Sequence, residues 1–350
     1  MKKLRNTIAC GVAALALLAT GLTSCTGDFD NINTSKDKPT PEDVDRDNAW
    51  AAFIQTMQRN VFAEGANAYQ LADNLLGDGR RCLLMTNLCP DGTQVLCAPL
   101  PADAKSTWPA PLVLASGLMD ENAEYGISAP STGLAVGDLD GDGHLEFVCG
   151  NYWFKREGVS FACHRYCNDR VSCRVALGDV DGKDDLEIVV CERAAIAEHE
   201  LSGATLSVFR QGVDICAPWE EQVLSDNIND CGVLIVGNFT GSRLPDIIVG
   251  EIGQEGLTRV LCSSSKPAHL GGFNFSQPTT RYLSQGAQPT VRIFENIDGD
   301  VFIENAIAKD TGLFAGALAD VLHIGRPSLL GVPKIGPERW GILCYTARES

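Results

Sequence analysis

The 350-residue sequence lacks the short motifs by which common catalytic sites are recognised. It contains no glycine-rich phosphate loop, no HExxH, no Gly-x-Ser-x-Gly and no protein-kinase signature. Its five histidines, at 144, 164, 199, 269 and 323, form no recognisable catalytic triad. No motif in the sequence therefore assigns it to one of these enzyme classes.

Positive charge is also scarce, since 28 lysines and arginines stand against 45 acidic residues and give a net charge of −17. Removal of the leader described below takes away three positive charges, so the mature chain carries −17 − 3 = −20. No lysine or arginine cluster offsets this charge, and an acidic surface repels nucleic acid phosphates. The sequence therefore predicts no nucleic-acid partner, whereas Ca²⁺ and neutral ligands such as glycans are compatible with it.

Long apolar runs are absent after the first 24 residues, so the mature chain has no segment that resembles a transmembrane span. Residues 1–24 have the basic start and short apolar core of a signal peptide. They lead into Leu22-Thr23-Ser24-Cys25, which resembles a bacterial lipobox and predicts Cys25 as the lipid attachment site. We expect a lipid-anchored protein with a polar linker at 25–40. The alternative is an ordinary secretory peptide with an incidental cysteine.

Twelve of the 14 cysteines remain once Cys10 leaves with the leader and Cys25 carries lipid. An even number in an oxidising compartment permits disulfides. Cys163, Cys167 and Cys173 also suggest zinc, although their spacing matches no standard pair of ligand hairpins. Disulfides, buried free thiols and zinc are the three alternatives.

One acidic loop, within residues 134–149, carries the clearest chemical signal in the chain. It places carboxylates at loop positions 1, 3, 5 and 9, and a backbone carbonyl at position 7 can join them. These residues are Asp138, Asp140, Asp142, Glu146 and, for the carbonyl, His144. Several hard oxygen ligands at one point suit Ca²⁺. An EF-hand needs a glutamate at position 12, where Cys149 stands, so the pattern predicts a strand–loop–strand calcium site. The alternative is an acidic surface turn without metal.

The same loop recurs along the chain. Its copies begin at Asp138, Asp179, Asn238 and Asp320, with spacings of 41, 59 and 82 residues. Such a period is typical of propellers, solenoids or arrays. The last spacing, twice the first, predicts one further unit between 238 and 320 that has lost its marker. The second loop offers these candidate metal ligands: Asp179, Asp181, Asp185 and Glu187. There Lys183 stands where an oxygen ligand belongs, and its ammonium is an alternative to the ion.

These loops and their flanking strands resemble FG-GAP/VCBS repeats, the calcium-loop blades of integrin-type β-propellers, over about residues 95–350. The resemblance implies a mainly β fold at 79–350. Each period holds about four short strands, which gives five to seven blades in a ring that need not be complete.

The N-terminal part has a different pattern. Apolar residues at helical spacing predict a helix that starts near Thr40 and runs past Val61, and a second helix is expected from Asn67 to Leu76. Segments such as 28–34, 57–61 and 67–75 resemble SusD/RagB-type outer-membrane lipoproteins over about residues 1–78, which predicts a helical segment at 41–78. That family binds glycans or peptides above a TonB-dependent transporter, so the resemblance implies an outer-membrane, surface-exposed location.

Together these patterns predict a surface-anchored lipoprotein whose calcium-stabilised propeller binds a glycan or a protein partner in polysaccharide acquisition. Aromatic faces stack on sugar rings, so Tyr152 and Trp153, after the first loop, are the candidate ligand platform. The alternative to that role is packing in a blade core. An alternative function is a polysaccharide lyase or hydrolase with His164 as its base. A third is a composite fragment without a function of its own.

Overall fold

The computed structural model describes residues 66–103, 106–122, 127–171, 173–192, 204–228, 231–252, 258–261, 279–282, 289–309, 311–321, 325–333 and 343–345. Every element of regular secondary structure in these ranges is a β-strand, so this part of the protein is all-β. None of these residues belongs to a helix able to cross a membrane. The predicted signal peptide, the lipidated Cys25, the linker and the helix before residue 66 lie outside the described residues.

Apart from one two-stranded pair, the described strands form five antiparallel sheets that follow one another along the chain. Sheet 1 contains β1 (Ala66–Asp73), β2 (Arg81–Asn87), β3 (Thr93–Pro99), β4 (Leu112–Asn122) and β5 (Ile127–Pro130). Sheet 2 contains β6 (Ala135–Gly137), β7 (Glu146–Cys149), β8 (Tyr152–Glu157) and β9 (Ser160–Arg165). Sheet 3 contains β10 (Cys173–Gly178), β11 (Glu187–Glu192), β12 (Ala204–Arg210) and β13 (Glu220–Ile228).

Sheet 4 begins with β14 (Cys231–Gly237) and β15 (Asp246–Glu251). The chain then forms a separate pair, β16 (Thr258–Leu261) with β17 (Thr279–Tyr282), before β18 (Thr290–Asn296) and β19 (Phe302–Lys309) complete sheet 4. Sheet 5 contains β20 (Leu313–Ala319), β21 (Ser328–Pro333) and β22 (Leu343–Tyr345). Sheets 2, 3 and 4 each have four strands, which confirms the predicted strand content of one repeat.

Alternating side chains pack each sheet against the sheets before and after it, because neighbouring residues of a strand point to opposite faces. In sheet 2, Phe147 and Phe154 pack with sheet 1 side chains such as Leu84, while Val148 and Trp153 pack with sheet 3. Both faces of the sheet are therefore buried. This accounts for the nearly continuous apolar runs in the second strand of each repeat.

The same arrangement continues along the chain. A third core joins sheet 3 to sheet 4 through Val189, Val208 and Ile247, and a fourth joins sheet 4 to sheet 5 through Ile248 and Leu313. The first strands β1, β6, β10, β14 and β20 contact one another in turn. Where β6, β10 and β14 end, Gly137 lies against Leu177, Gly178 against Val236, and Gly237 against Leu318. The loops that follow these strands therefore lie along one edge of the row of sheets.

Two predictions about the fold are wrong. Residues 238–320 contain no lost repeat unit among the described strands: β14, β15, β18 and β19 make one sheet, and β20 opens the next. The 82-residue spacing arises because residues 252–289, including β16 and β17, come between β15 and β18.

The helix predicted from Asn67 to Leu76 is also wrong, because Ala66–Asp73 forms β1. Pairing with β2, for example Tyr69 with Met85, overrides the local helical pattern. Asn74 has φ +57° and closes a turn in which its N–H donates to the Arg80 carbonyl at 3.0 Å. The predicted domain boundary at 78/79 therefore falls inside the turn between two paired strands.

The eleven cysteines of the described residues are free thiols. Cys163 is exposed, whereas Cys167 and Cys173 are buried. Burial raises the pKa of the Cys167 thiol to about 12 and that of Cys173 well above its ordinary value. Among the described residues, the groups able to hold a metal ion are two carboxylate clusters, and these three thiols form no such group, so the structure favours free thiols over zinc.

Candidate metal centre

The first acidic loop joins β6 to β7 and is fixed at two points. Leu139, at loop position 2, is only 1% exposed and packs in the core between sheets 2 and 3. Glu146, at position 9, is also 1% exposed, and its Oε2 accepts a hydrogen bond from the Leu139 N–H at 2.8 Å. The residues between them bulge outward, and Gly143 has φ +83°, which glycine adopts without strain. Its N–H donates to Asp138 Oδ2 at 2.8 Å.

Three predicted ligands converge in this loop. Oxygen atoms of Asp138, Asp140 and Glu146 all lie within 4.8 Å of one another. Asp138 Oδ1 is buried, and none of the described residues donates a hydrogen bond to it. Burial, with a smaller contribution from the neighbouring aspartates, raises the pKa of Glu146 to about 7. An orphaned carboxylate oxygen beside two more carboxylates is a donor set that fits a hard cation.

The other two predicted ligands lie at the margin of this group. Asp142 accepts hydrogen bonds from Lys155 Nζ at 2.8 Å and from the His144 N–H at 2.9 Å. The contact with Lys155 lowers the pKa of Asp142. The ammonium of Lys155 also contacts Asp140 Oδ2, and the pKa of Lys155 is raised by both carboxylates. The Lys155 side chain, on β8, thus brings a positive charge to the edge of the loop.

The second loop, between β10 and β11, repeats the first. Asp179, Asp181 and Glu187 have oxygen atoms within 4.8 Å of one another, and Glu187 Oε2 accepts the Val180 N–H at 2.6 Å. Burial raises the pKa of Glu187 to about 7. Asp185, also predicted as a ligand, is not one of the three clustered carboxylates. Lys183 Nζ lies 2.5 Å from Asp181 Oδ2, in line with the ammonium alternative, but no contact with Asp179 from its Nζ was found in the described residues.

In the third loop, between β14 and β15, the carboxylate oxygens of Asp246 accept hydrogen bonds from within the loop. Asp246 accepts from the Phe239 N–H, and the Thr240 N–H and hydroxyl donate to the same carboxylate. In the fourth loop, between β20 and β21, the Gly325 N–H donates to Asp320 Oδ2 at 2.9 Å. The four recognised loops therefore stand at equivalent places in successive sheets, as predicted.

A fifth copy, between β1 and β2, was missed in the sequence. Leu75, at its position 2, is 1% exposed, and the Gly79 N–H donates to Asn74 Oδ1 at 2.7 Å, the bond that Gly143 makes with Asp138 in the first loop. The signal was Leu75 followed by Gly77-Asp78-Gly79, which matches Leu139 followed by Gly141-Asp142-Gly143. This loop was not recognised because a helix was predicted over Asn67 to Leu76, which overlaps its first residues. This copy lacks the carboxylates at positions 1, 3 and 9.

The predicted aromatic platform is not available. Trp153 is 0% exposed and packs in the core, so the prediction that it stacks on a ligand is wrong. Tyr152 is half-buried; its hydroxyl donates to the Met119 carbonyl at 2.7 Å, and the Arg165 guanidinium lies 4.9 Å above its ring. His164, the candidate base of the enzyme alternative, stacks on Trp153 with ring centroids 4.5 Å apart. Trp153 packs in the core because sheet 2, to which β8 belongs, is buried on both faces.

Comparison with protein families gives one match. Residues 131–161 are an FG-GAP repeat. This stretch covers β6 to β8, the first acidic loop and the start of β9, so the predicted resemblance is confirmed for most of sheet 2. FG-GAP repeats often bind Ca²⁺, and the acidic groups that could hold such an ion are present. A search of curated proteins found no match. The SusD/RagB resemblance of residues 1–78 stays a prediction.

Proposed function

We propose that this protein is a Ca²⁺-stabilised binding protein whose five described sheets are blades of an FG-GAP-type β-propeller. The observation that supports this most is the recurrence of one loop between the first and second strands of all five sheets. In sheets 1, 2 and 5 the N–H at loop position 6 donates to the side chain at position 1. In sheets 2, 3 and 4 the N–H at position 2 donates to the carboxylate at position 9. Two of these loops cluster three carboxylates each. The first loop lies in the FG-GAP repeat at 131–161, and such repeats often bind Ca²⁺.

The proposed ligand is a glycan or a protein partner. The loops follow one another along one edge of the row of sheets, so they offer a continuous surface on rigid strands, the usual arrangement of a binding site. With Trp153 buried, we place the ligand surface on these loops rather than on the aromatic residues of β8. A role in polysaccharide acquisition, at the outer membrane and beside a TonB-dependent transporter, rests on the sequence of residues 1–78 alone.

Replacing Cys25 with alanine should release the protein from the membrane. The basic start, short apolar core and lipobox in series predict acylation at this residue, and acyl chains contribute about 0.8 kcal/mol for each buried CH₂. Fractionation of cells that express wild type or Cys25→Ala checks this, with Cys10→Ala as the matched control. Continued membrane retention of Cys25→Ala would count against the anchor.

Removal of Ca²⁺ should lower the melting temperature of the wild-type protein, and Asp140→Ala should remove most of that sensitivity. An ion that binds the native state alone adds about 2.7 kcal/mol at a hundred times its dissociation constant. For a chain of this size that is a shift of about 5 °C. Scanning calorimetry of both proteins, each with Ca²⁺ in excess and with a chelator, measures the difference.

The second loop provides the comparison for that experiment. Asp181→Ala removes the equivalent carboxylate from a loop that Lys183 already neutralises, so the variant should keep most of its response to the chelator. If wild type melts identically with Ca²⁺ and with chelator, the first loop is an acidic turn and the calcium proposal is wrong.

Binding and enzymatic functions are separated by one screen. The mature chain from residue 25, with Ca²⁺ and with chelator, is tested on a glycan array and, in parallel, for release of products from the same polysaccharides. Ca²⁺-dependent retention without product supports the binding protein. Release of oligosaccharides would favour a lyase or hydrolase instead.

A further inference from the structure

Lys155 holds a position that the first loop would otherwise leave to an external cation. Its Nζ contacts Asp140 Oδ2 and lies 2.8 Å from Asp142 Oδ2. The Asp140 side chain is 13% exposed, so this is a partly desolvated ion pair. Among the described residues, the hydrogen bonds of this ammonium go to these two loop carboxylates alone. Lys155 therefore binds the same two carboxylates, Asp140 and Asp142, that are predicted to be Ca²⁺ ligands.

Sheet 3, whose loop between its first and second strands holds the other carboxylate cluster, has a cation at the position equivalent to Lys155. Phe154 pairs with Phe147 in sheet 2, and Phe209 pairs with Ile188 in sheet 3, so the next residues, Lys155 and Arg210, correspond. Arg210 Nε lies 3.9 Å from Asp181 Oδ2. The third strands of sheets 2 and 3 thus each direct a positive side chain toward the loop between the first and second strands of the same sheet.

The two cations are held differently. The Arg210 guanidinium also donates to the Gly299 carbonyl at 2.6 Å and to Gln222 at 2.7 Å, which fixes it outside the loop. Lys183 belongs to the second loop itself, so its ammonium stays within reach of the carboxylates although its side chain is 72% exposed. Lys155 has a long flexible stem and no such additional hydrogen bonds among the described residues, so only its contacts with the two loop carboxylates must break for its ammonium to move into solvent.

We propose that Lys155 is an internal counter-ion of the first loop that Ca²⁺ must displace, whereas Lys183 and Arg210 neutralise the second loop whether or not Ca²⁺ is present. This inference rests on the proposed Ca²⁺ site in the first loop. Without the ion, the ammonium screens the repulsion between the clustered carboxylates and keeps the loop folded. With the ion, two cations compete for the same oxygen atoms, so the contacts that Lys155 gives up reduce the affinity of the loop for Ca²⁺.

The test uses Lys155→Met, which keeps the length of the side chain and removes its charge. The matched control is Arg156→Met, because Arg156 is the next residue of β8 and its guanidinium lies beside Gly77, in the loop between β1 and β2. Both variants change the net charge by the same amount. Ca²⁺ is titrated by calorimetry into chelator-treated mature wild type and both variants. We expect Lys155→Met to bind about tenfold more tightly than wild type, with Arg156→Met within about threefold.

A second readout separates competition from a general stabilising role. In chelator, Lys155→Met should melt below Arg156→Met, because the carboxylates have lost their counter-ion. In excess Ca²⁺ it should melt at the same temperature or above. A purely structural lysine would lower the melting temperature equally in both conditions, and that result would overturn the inference.

The remaining outcomes distinguish this inference from the proposed function. If wild type binds Ca²⁺ and Lys155→Met binds no more tightly, the inference fails and the calcium site stands. If Lys155→Met binds and wild type does not, the inference is supported and the native protein is not a calcium protein. If neither binds, both are wrong.

Discussion

Phe147→Ala should lower the free energy of unfolding by about 3–5 kcal/mol, the usual cost of truncating a buried phenylalanine. Phe147 is 0% exposed and stacks on Phe154 with ring centroids 4.5 Å apart and planes 12° apart. It lies in the core between sheets 1 and 2, together with Leu84 and Val95. Its removal leaves a cavity between two sheets that cannot close without moving paired strands. Urea unfolding followed by fluorescence measures the change.

The control for this prediction is Val159→Ala. Val159 stands in the turn between β8 and β9 of the same sheet and is fully exposed, so its truncation should change stability by no more than about 0.5 kcal/mol. If Phe147→Ala also costs less than about 1 kcal/mol, sheet 1 does not pack on sheet 2 through this ring. A value in the expected range would support the face-to-face stacking.

Asp246→Ala should cost about 3 kcal/mol or more, because it leaves several buried donors without a partner. Asp246 is 0% exposed. It accepts the Phe239 N–H at 3.0 Å, the Thr240 N–H at 2.8 Å and hydroxyl at 3.0 Å, and the Asn296 N–H at 3.2 Å. This carboxylate thus ties the third loop to β18. Chemical unfolding of the variant and of wild type measures the loss.

The matched control is Asp226→Ala, which removes the same charge from an exposed position near the end of β13 and should change stability by no more than about 0.5 kcal/mol. The loss caused by Asp246→Ala should be the same with Ca²⁺ and with chelator, because hydrogen bonds rather than an ion hold this loop. A loss that appears only in the presence of Ca²⁺ would show that the third loop is a metal site.

The sequence by itself determined the repeating unit. The alternation of apolar residues, the glycines and the spaced carboxylates are local features, and together they predicted strands on either side of each loop from residue 134 onward. They also identified Asp138, Asp140 and Glu146, which the structure brings together. These predictions succeeded because the loop is closed by bonds between residues at most nine positions apart.

The tertiary structure decided what depends on distant partners. Pairing with β2 makes residues 66–73 a strand although their local pattern favours a helix, and it creates the fifth loop. Burial of both faces of sheet 2 places Trp153 in the core rather than on a ligand surface. The pairing of β7 with β8 brings Lys155 to Asp140, fifteen residues earlier in the chain. No local pattern contains this information, because strand pairing and sheet stacking join residues whose separation in sequence is set by loops of variable length.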